Sequence, residues 1–200
     1  RKARMQSKGG RQEMKTVKRP KPVNEKDILK THGEIIKKVK NANPHYFAIT
    51  YFSPLLYQQI LDMIREEQPN ARIILKLENE IQDEELERLC KSNAFNMILI
   101  DRGEIGVNIP YCKTGTYQKK IIKIAKKYNR PVIVSTHILE SAIDNYIPSR
   151  AEILDITNSV IDGVAGLMLC RETVINPRPA YIISVAKKII AEAEKFKLGL

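Results

Sequence analysis

The sequence predicts an α/β domain built around a parallel sheet, and three observations lead to that prediction. Short apolar runs alternate with amphipathic stretches along most of the chain, which is the pattern of repeated strand and helix units. The runs are apolar on both faces, as expected of parallel strands that helices cover. Polar side chains follow the ends of the runs, where sheets of this kind place their chemistry.

The apolar runs predict five strands, and the stretches between them predict the helices. The strands are expected at residues 46–52, 71–77, 96–101, 131–136 and 166–170. The helices are expected at residues 54–66, 83–91 and 116–127, as one continuous stretch over 138–161, and at 180–195. The last helix carries an apolar stripe at helical spacing that we expect to face the core, formed by Ile182, Val185, Ile189, Ile190 and Ala193.

The length and composition of the chain exclude several classes of protein. Two hundred residues suit one domain. A hydrophobic fraction of 43%, with 9 glycines and 10 prolines, excludes collagen-like, low-complexity and wholly disordered chains. No apolar run approaches the roughly 20 residues of a membrane span, so a soluble protein without a membrane partner is expected. Three cysteines without a close pair favour a reducing compartment over a disulfide framework.

Residues 1–22 form a basic tail that stands apart from the predicted domain at residues 23–200. The tail has a single acidic residue, Glu13, and no apolar periodicity, so we expect it to be disordered when free. A polyanion is the favoured partner because each neutralised phosphate releases counterions, which predicts binding to structured RNA. An acidic protein surface or an incidental neighbour is the alternative. The basic residues expected to contact RNA are Arg1, Lys2, Arg4, Lys8, Arg11, Lys15, Lys18, Arg19 and Lys21.

The first residues of the sequence are relevant to the cellular location of the protein. The chain starts at Arg1 and not at Met, which fits either proteolytic maturation or a segment of a longer chain. An Arg-rich, acid-poor start resembles organelle targeting sequences. The expected location is therefore the mitochondrial matrix or another organelle, and the cytoplasm is the alternative.

Polar residues at the ends of the predicted strands are candidates for a site. They are Lys76, Glu78, Arg102, Glu104, Thr136, Glu172 and Thr173. Two acids at neighbouring strand ends could hold a divalent cation such as Mg²⁺ through oxygen ligands, with a lysine beside them to neutralise a phosphate or an enolate. On spacing alone, solvated loop charges and helix caps are the favoured explanation of these residues.

The loops that carry these residues contain a series of motifs. Lys76 opens K-L-E-N, Asp101 lies in I-D-R-G-E-I-G-V-N-I-P, and Thr136 lies in P-V-I-V-S-T-H-I-L-E-S. P-S-R-A-E, D-G and M-L-C-R-E-T follow at residues 148–152, 162–163 and 168–173. In this order, over about residues 24–195, the motifs resemble those of the pyruvate kinase family, which read K-I-E-N, V-A-R-G-D-L-G-V-E-I-P, P-V-I-x-A-T-Q-M-L-E-S, P-T-R-A-E, D-G and M-L-S-G-E-T.

The resemblance implies a fold, an activity and a set of site residues. The matched region corresponds to the last five of the eight strands of the family's (β/α)8 barrel, so a partial barrel of about five parallel strands is expected. In the family these groups transfer a phosphoryl group from phosphoenolpyruvate to ADP. The residues that the resemblance assigns are Lys76 and Thr136 as catalytic groups, Glu78 and Glu104 as metal ligands, and Arg102 and Gly103 at the pyruvate pocket through their backbone.

Departures from the family's motifs argue against that activity. Glu104 replaces Asp, which lengthens a metal ligand by one methylene, and Asp101 replaces Ala, which adds a carboxylate beside the site. Arg171 replaces Gly, His137 replaces Gln, and Ser53 stands where the family has Arg. The first three barrel strands, the lid and the regulatory domain have no counterpart in these 200 residues, and the family's potassium site belongs to that part.

These departures lead to a first functional hypothesis, a pyruvate-kinase-like pseudoenzyme that serves as a structural subunit of a larger assembly. The basic tail makes a ribonucleoprotein such as a mitochondrial ribosome the favoured assembly, with no cofactor expected. The alternative is a fragment of a split or incomplete pyruvate kinase, which would use Mg²⁺ and K⁺. A third hypothesis is a module that binds a phosphorylated metabolite without turnover. In each case we expect other protein subunits to cover the open sheet edges.

Overall fold

A computed structural model describes residues 24–199, in which five parallel strands form a single sheet. The strands are β1 (Tyr46–Thr50), β2 (Arg72–Leu77), β3 (Met97–Asp101), β4 (Val132–Ser135) and β5 (Gly166–Met168). Each strand pairs with its neighbours in the sequence, in the order β1-β2-β3-β4-β5. A continuous parallel order with helices between the strands is the arrangement of a barrel wall. The predicted α/β partial barrel is therefore confirmed.

Eight α-helices accompany the strands within residues 24–199. They are α1 (Glu25–Val39), α2 (Pro54–Glu67), α3 (Asp83–Lys91), α4 (Arg102–Asn108), α5 (Thr114–Lys127), α6 (Arg150–Asp162), α7 (Arg171–Val174) and α8 (Pro179–Leu198). The predicted bounds of α3 are confirmed, and those of α2, α5 and α8 agree to within three residues. The sequence patterns do not predict α1, α4 or α7. No helix in this part of the chain is long and apolar enough to cross a membrane.

The two faces of the sheet differ in burial. On one face, two rows of apolar side chains cross neighbouring strands and join the buried helix residues in one hydrophobic core: Ile49, Leu75, Ile98 and Val132, then Leu77, Ile100, Val134 and Leu167. On the other face, Tyr46, Ala48 and Met168 are exposed. Lys76 and Asp101 lie on this second face, because side chains alternate between faces along a strand.

The segment after β4 departs from the prediction of one continuous helix over residues 138–161. It forms a loop with a short 3-10 turn at Glu140–Ile143, and α6 begins only at Arg150. Pro148 explains the break, because proline disfavours a helical conformation at the preceding residue and has no N–H to donate. Ser149 then caps α6, since its hydroxyl accepts a hydrogen bond from the Glu152 N–H at 3.3 Å.

Glu152 connects this loop to α6. Its carboxylate accepts hydrogen bonds from the backbone N–H of Ser141 at 2.7 Å and of Ser149 at 3.0 Å, and from both serine hydroxyls. Partial burial raises the pKa of Glu152, but these hydrogen bonds outweigh that effect and hold the pKa below its ordinary value. The carboxylate therefore stabilises the fold in its charged form.

Replacing Glu152 with Gln should lower the free energy of unfolding by about 1 to 2 kcal/mol at pH 7, the range for loss of a helix cap. Because the folded pKa of Glu152 is depressed, the contribution of its charge is complete above the unfolded pKa of about 4.3 and is lost as the pH falls through the folded pKa. In urea unfolding, the difference from wild type should therefore shrink below about pH 4. Glu194→Gln, at an exposed position of α8, is the control, and an equal loss there would contradict the prediction.

Candidate active site

Side chains from three strand ends meet at the carboxyl edge of the sheet. Lys76 lies near the end of β2, Asp101 ends β3, and Thr136 follows β4 directly. The Lys76 Nζ lies 2.9 Å from the Asp101 Oδ2 and also forms an ion pair with Glu78. The Asp101 Oδ1 accepts a hydrogen bond from the Thr136 hydroxyl at 3.0 Å and another from the Gly103 N–H at 3.2 Å. The structure thus gathers three of the predicted site residues, Lys76, Thr136 and Gly103, around Asp101, and a fourth, Glu78, beside Lys76.

The charges in this cluster stabilise one another. Burial lowers the pKa of Lys76, but hydrogen bonds and charge attraction from Glu78 and Asp101 outweigh it, so that the pKa lies above its ordinary value. Burial raises the pKa of Asp101, but the Lys76 ammonium, the Thr136 hydroxyl and the Glu104 N–H outweigh it, so that this pKa lies below its ordinary value. At neutral pH, Lys76 is therefore a cation and Asp101 an anion.

The Arg102 side chain holds the loop that carries Thr136. Its guanidinium donates to the carbonyls of Ser135 at 3.1 Å, Thr136 at 2.6 Å and His137 at 3.3 Å. It also pairs with Asp155 of α6 at 2.6 Å, and only 15% of the side chain is exposed. A planar guanidinium can make these bonds together, whereas a lysine cannot. Arg102 therefore acts through its side chain, although the resemblance assigns only its backbone to the pocket.

Thr136 and His137 both adopt the left-handed backbone conformation, with φ of 74° and 53°. For residues with a Cβ this conformation costs about 1 to 3 kcal/mol each, and the bonds from Arg102 to their carbonyls offset that cost. Gly103 lies against the same loop, because a Cβ built there would be 3.0 Å from the Thr136 Cγ2. A side chain at position 103 would therefore push Thr136 away from Asp101.

The loop after β2, which carries Glu78, is fixed by polar contacts from two helices. The Asn108 side chain in α4 donates to the Glu78 carbonyl at 2.9 Å. The Tyr117 hydroxyl in α5 donates to the Asn79 carbonyl at 3.1 Å and accepts from the Ile81 N–H at 2.8 Å. The Tyr117 ring is buried in the core. The backbone that positions Glu78 is therefore anchored at both ends of the loop.

Glu78 and Glu104, the predicted metal ligands, have different surroundings. The Glu78 carboxylate pairs with Lys76, whereas the Glu104 side chain is exposed on the first turn of α4. Over residues 24–199, no group of three or more His, Cys, Asp or Glu side chains is arranged to hold a metal. In phosphate-binding sites, however, Mg²⁺ takes only one or two protein carboxylates and completes its shell with water and phosphate. The donor chemistry of this pair therefore fits Mg²⁺.

The polar residues after β5 hold loops together. The Glu172 carboxylate is fully buried and accepts hydrogen bonds from the N–H groups of Leu139 at 3.3 Å and Cys170 at 3.0 Å. The Thr173 hydroxyl donates to the Cys170 carbonyl at 2.9 Å. These bonds tie the loop after β5 to the loop after β4, which is a structural role.

A cavity of about 800 Å³ opens at the amino ends of β1 and β2. Its lining includes the Lys40–Glu67 ion pair at 2.7 Å and the Arg72 side chain, which donates to the Tyr46 hydroxyl at 2.9 Å. The cavity lies at the opposite end of the strands from Lys76, and its lysine and glutamate neutralise each other. The chemistry of the strand ends, and not the size of this cavity, therefore determines the candidate site.

Asp101 is the central residue that the sequence patterns do not reveal. They mark it only as an added carboxylate, although it accepts hydrogen bonds from Thr136 after β4 and from the nearby Gly103 N–H, and pairs with Lys76. The available signal is its position as the last residue of an apolar run, directly before Arg102 and Gly103. A strand-end acid in that position faces the same edge as the lysine of the neighbouring strand.

Arg102→Lys should lower the free energy of unfolding by about 2 kcal/mol, because a lysine cannot replace the buried charge-assisted bonds to three carbonyls and Asp155. Arg171→Lys is the matched control: 68% of the Arg171 side chain is exposed, and it pairs with Glu140 at 3.0 Å on the surface. In Arg171→Lys the free energy of unfolding should change by less than about 0.5 kcal/mol. Urea unfolding measures both variants, and equal losses would show that Arg102 does not hold the loop.

Comparisons with known proteins identify the family whose sequences this chain resembles. Residues 25–182 match the family model described as pyruvate kinase, barrel domain. The chain is 37% identical to the pyruvate kinase of Thermotoga maritima over 163 residues, which cover 81% of this chain and 34% of the relative. It is 34% identical to that of Mycobacterium tuberculosis over 140 residues, covering 70% and 29%. It is 37% identical to that of Buchnera aphidicola over 146 residues, covering 69% and 29%. The chain spans about a third of the length of these curated relatives.

The hypothesis of a ribosomal pseudoenzyme is wrong. These relatives are named pyruvate kinase, and neither comparison points to a ribonucleoprotein subunit. The nine basic residues of the tail lie outside the described residues, so RNA binding and an organellar location stay untested predictions. The comparisons support the alternative, a portion of a pyruvate kinase. The barrel match over residues 25–182 and the identity to enzymes of three bacteria show that this chain belongs to the pyruvate kinase family.

Proposed function

We propose that this chain is a part of a pyruvate kinase and carries catalytic groups for the transfer of a phosphoryl group from phosphoenolpyruvate to ADP. The observation that supports this proposal is the convergence of Lys76, Glu78 and Thr136 with Asp101 at one edge of the sheet, inside the matched barrel region. Because the chain spans about a third of its relatives, the reaction also needs the remainder of the enzyme.

Lys76 would supply fixed positive charge to the reaction. Its side chain is only 25% exposed, so its charge acts in a less polar environment than bulk water and interacts more strongly with a ligand. The ammonium would neutralise the transferred phosphoryl group and the enolate that remains when this group leaves. Electrostatic stabilisation of this kind is the main contribution of a protein to phosphoryl transfer.

Thr136 would supply a hydroxyl donor whose position is set before the ligand binds. The bonds from Arg102 hold its backbone, and Gly103 allows the loop to approach the start of α4 closely. Because the backbone of Thr136 is already in place, only its hydroxyl has to turn from Asp101 to the ligand, which keeps the reorganisation small when charge develops there. Arg102 is thus a positioning residue for Thr136.

Glu78 and Glu104 would hold Mg²⁺, which when bound supplies positive charge that neutralises phosphate oxygens. Glu78 would share its carboxylate between this ion and Lys76. Glu104 is exposed, so its longer side chain has freedom to adjust its reach. The family also implies K⁺, and we assign none of the described residues to that ion.

The open surfaces of the sheet would be covered by other parts of the enzyme. Among residues 24–199, β1 and β5 each pair on one side only, and Tyr46, Ala48 and Met168 are exposed on the second face. Unpaired strand edges and exposed apolar side chains favour association with further segments. We propose that the remaining barrel segments, in the same chain or in a separate one, cover this face.

Pyruvate formation should require both the remainder of the enzyme and Lys76. The test co-expresses residues 1–200 with the remainder of the Thermotoga maritima relative as a separate chain, and supplies phosphoenolpyruvate, ADP, Mg²⁺ and K⁺. The 200-residue chain alone should be inactive and the pair active. Lys76→Met should lower the kcat of the pair at least about 100-fold, whereas Lys188→Met, at an exposed position of α8, should not change it. A stable pair without activity, or full activity in Lys76→Met, would refute the proposal.

A further inference from the structure

Asp101 collects the hydrogen-bond donors of the site onto one carboxylate. The Lys76 Nζ lies 2.9 Å from this carboxylate, the Thr136 Oγ1 3.0 Å and the Gly103 N 3.2 Å. The ammonium comes from β2 and the hydroxyl from the loop after β4, so two distant segments converge on a single anion, and the local N–H of Gly103, two residues after Asp101, completes the donor set. An ammonium, a hydroxyl and a backbone N–H around one point form a donor set suited to a free carboxylate.

The charges around the Asp101 carboxylate make the binding of a second anion unfavourable. The side chains of Asp101 and Lys76 are 16% and 25% exposed, so solvent and small ligands have access to the cluster. One lysine there faces two carboxylates, those of Glu78 and Asp101. A carboxylate ligand that arrives at Lys76 therefore meets donors that already have an acceptor and a cluster with an excess of negative charge.

We propose that Asp101 is a specificity-determining residue whose carboxylate occupies the position where the carboxylate of a ligand would bind. It competes with the ligand for Lys76, for Thr136 and for the Gly103 N–H, and it lowers the affinity of the site for small carboxylates. The contacts of Asp101 are the evidence that its carboxylate occupies this position. The choice of pyruvate as the ligand rests on the proposed function. The ligand binds only when Asp101 gives up these contacts.

A purely structural role for Asp101 would give a different result. Asp101 also caps α4, since its side chain accepts from the Gly103 N–H. Asparagine keeps an oxygen acceptor of the same size for this cap and for Thr136, but it lacks the negative charge that pairs with Lys76. Asp101→Asn therefore separates the two roles, and Asp101→Ala removes both.

The test is an NMR titration of pyruvate into the 200-residue chain without added metal. Asp101→Asn should bind pyruvate at least about 10-fold more tightly than wild type, because the competing charge is gone and Lys76 keeps only Glu78 as a carboxylate partner, which leaves it able to pair with the ligand. Adding Lys76→Met to Asp101→Asn should abolish this gain. Asp83→Asn is the matched control, because Asp83 pairs with Lys120 at 2.6 Å on the helical surface, and it should leave pyruvate affinity unchanged.

Circular dichroism and thermal unfolding establish that each variant is folded, and Asp101→Ala provides a second variant without the competing charge. A folded Asp101→Asn chain with wild-type affinity for pyruvate would overturn the inference, as would an equal gain in Asp83→Asn.

The proposed function can fail separately from this inference. Tighter pyruvate binding without phosphoryl transfer by the paired chains would keep the inference and reject the function, and phosphoryl transfer with unchanged pyruvate affinity would do the reverse.

Discussion

Arg102 makes the contacts on which the arrangement of the site depends. Arg102 is the first residue of α4, yet its guanidinium bonds to three consecutive carbonyls at the end of β4 and in the loop that follows, and to Asp155 of α6. The left-handed conformations of Thr136 and His137 are unfavourable for residues with a Cβ and need such compensation. Without it, the Thr136 hydroxyl would lose its fixed position beside Asp101. One nearly buried side chain thus links backbone strain to the placement of a functional group.

The departures from the family's motifs have unequal consequences in the structure. Arg171 lies at the surface and pairs with Glu140, outside the contacts of the Lys76 cluster. Glu104 is exposed, where a longer side chain meets no steric obstacle from a buried neighbour. Asp101 alone among these three enters the cluster, where it takes up the donors around Lys76. Counting departures in the sequence gives them equal weight, but only their contacts show which of them alters the chemistry.

The strands and the long helices that follow them could be predicted, because apolar runs between polar loops depend mainly on local pattern. Helix α4 could not, because seven residues with glycines at positions 103 and 106 have weak helix propensity and depend on the Asp101 cap. At the site, motif order was enough to place Lys76 and Thr136 at one edge of the sheet. It could not show that Asp101 takes their donors, or that Arg102 acts through its side chain, because those contacts join distant segments and depend on rotamers.

The strand order has a consequence for the speed and direction of folding. Each strand pairs with the strands nearest to it in the sequence, so the sheet is assembled from contacts of modest sequence separation. The strand pairs bring together residues 23 to 34 positions apart, as in Ile74 with Met97 and Ile98 with Val132, and pairing over longer separations would cost more loop-closure entropy and slow folding further. During synthesis, each new strand and its helix can dock on the edge left by the previous strand as they leave the ribosome. The wall can therefore grow one unit at a time from β1 towards β5, before any ring has to close.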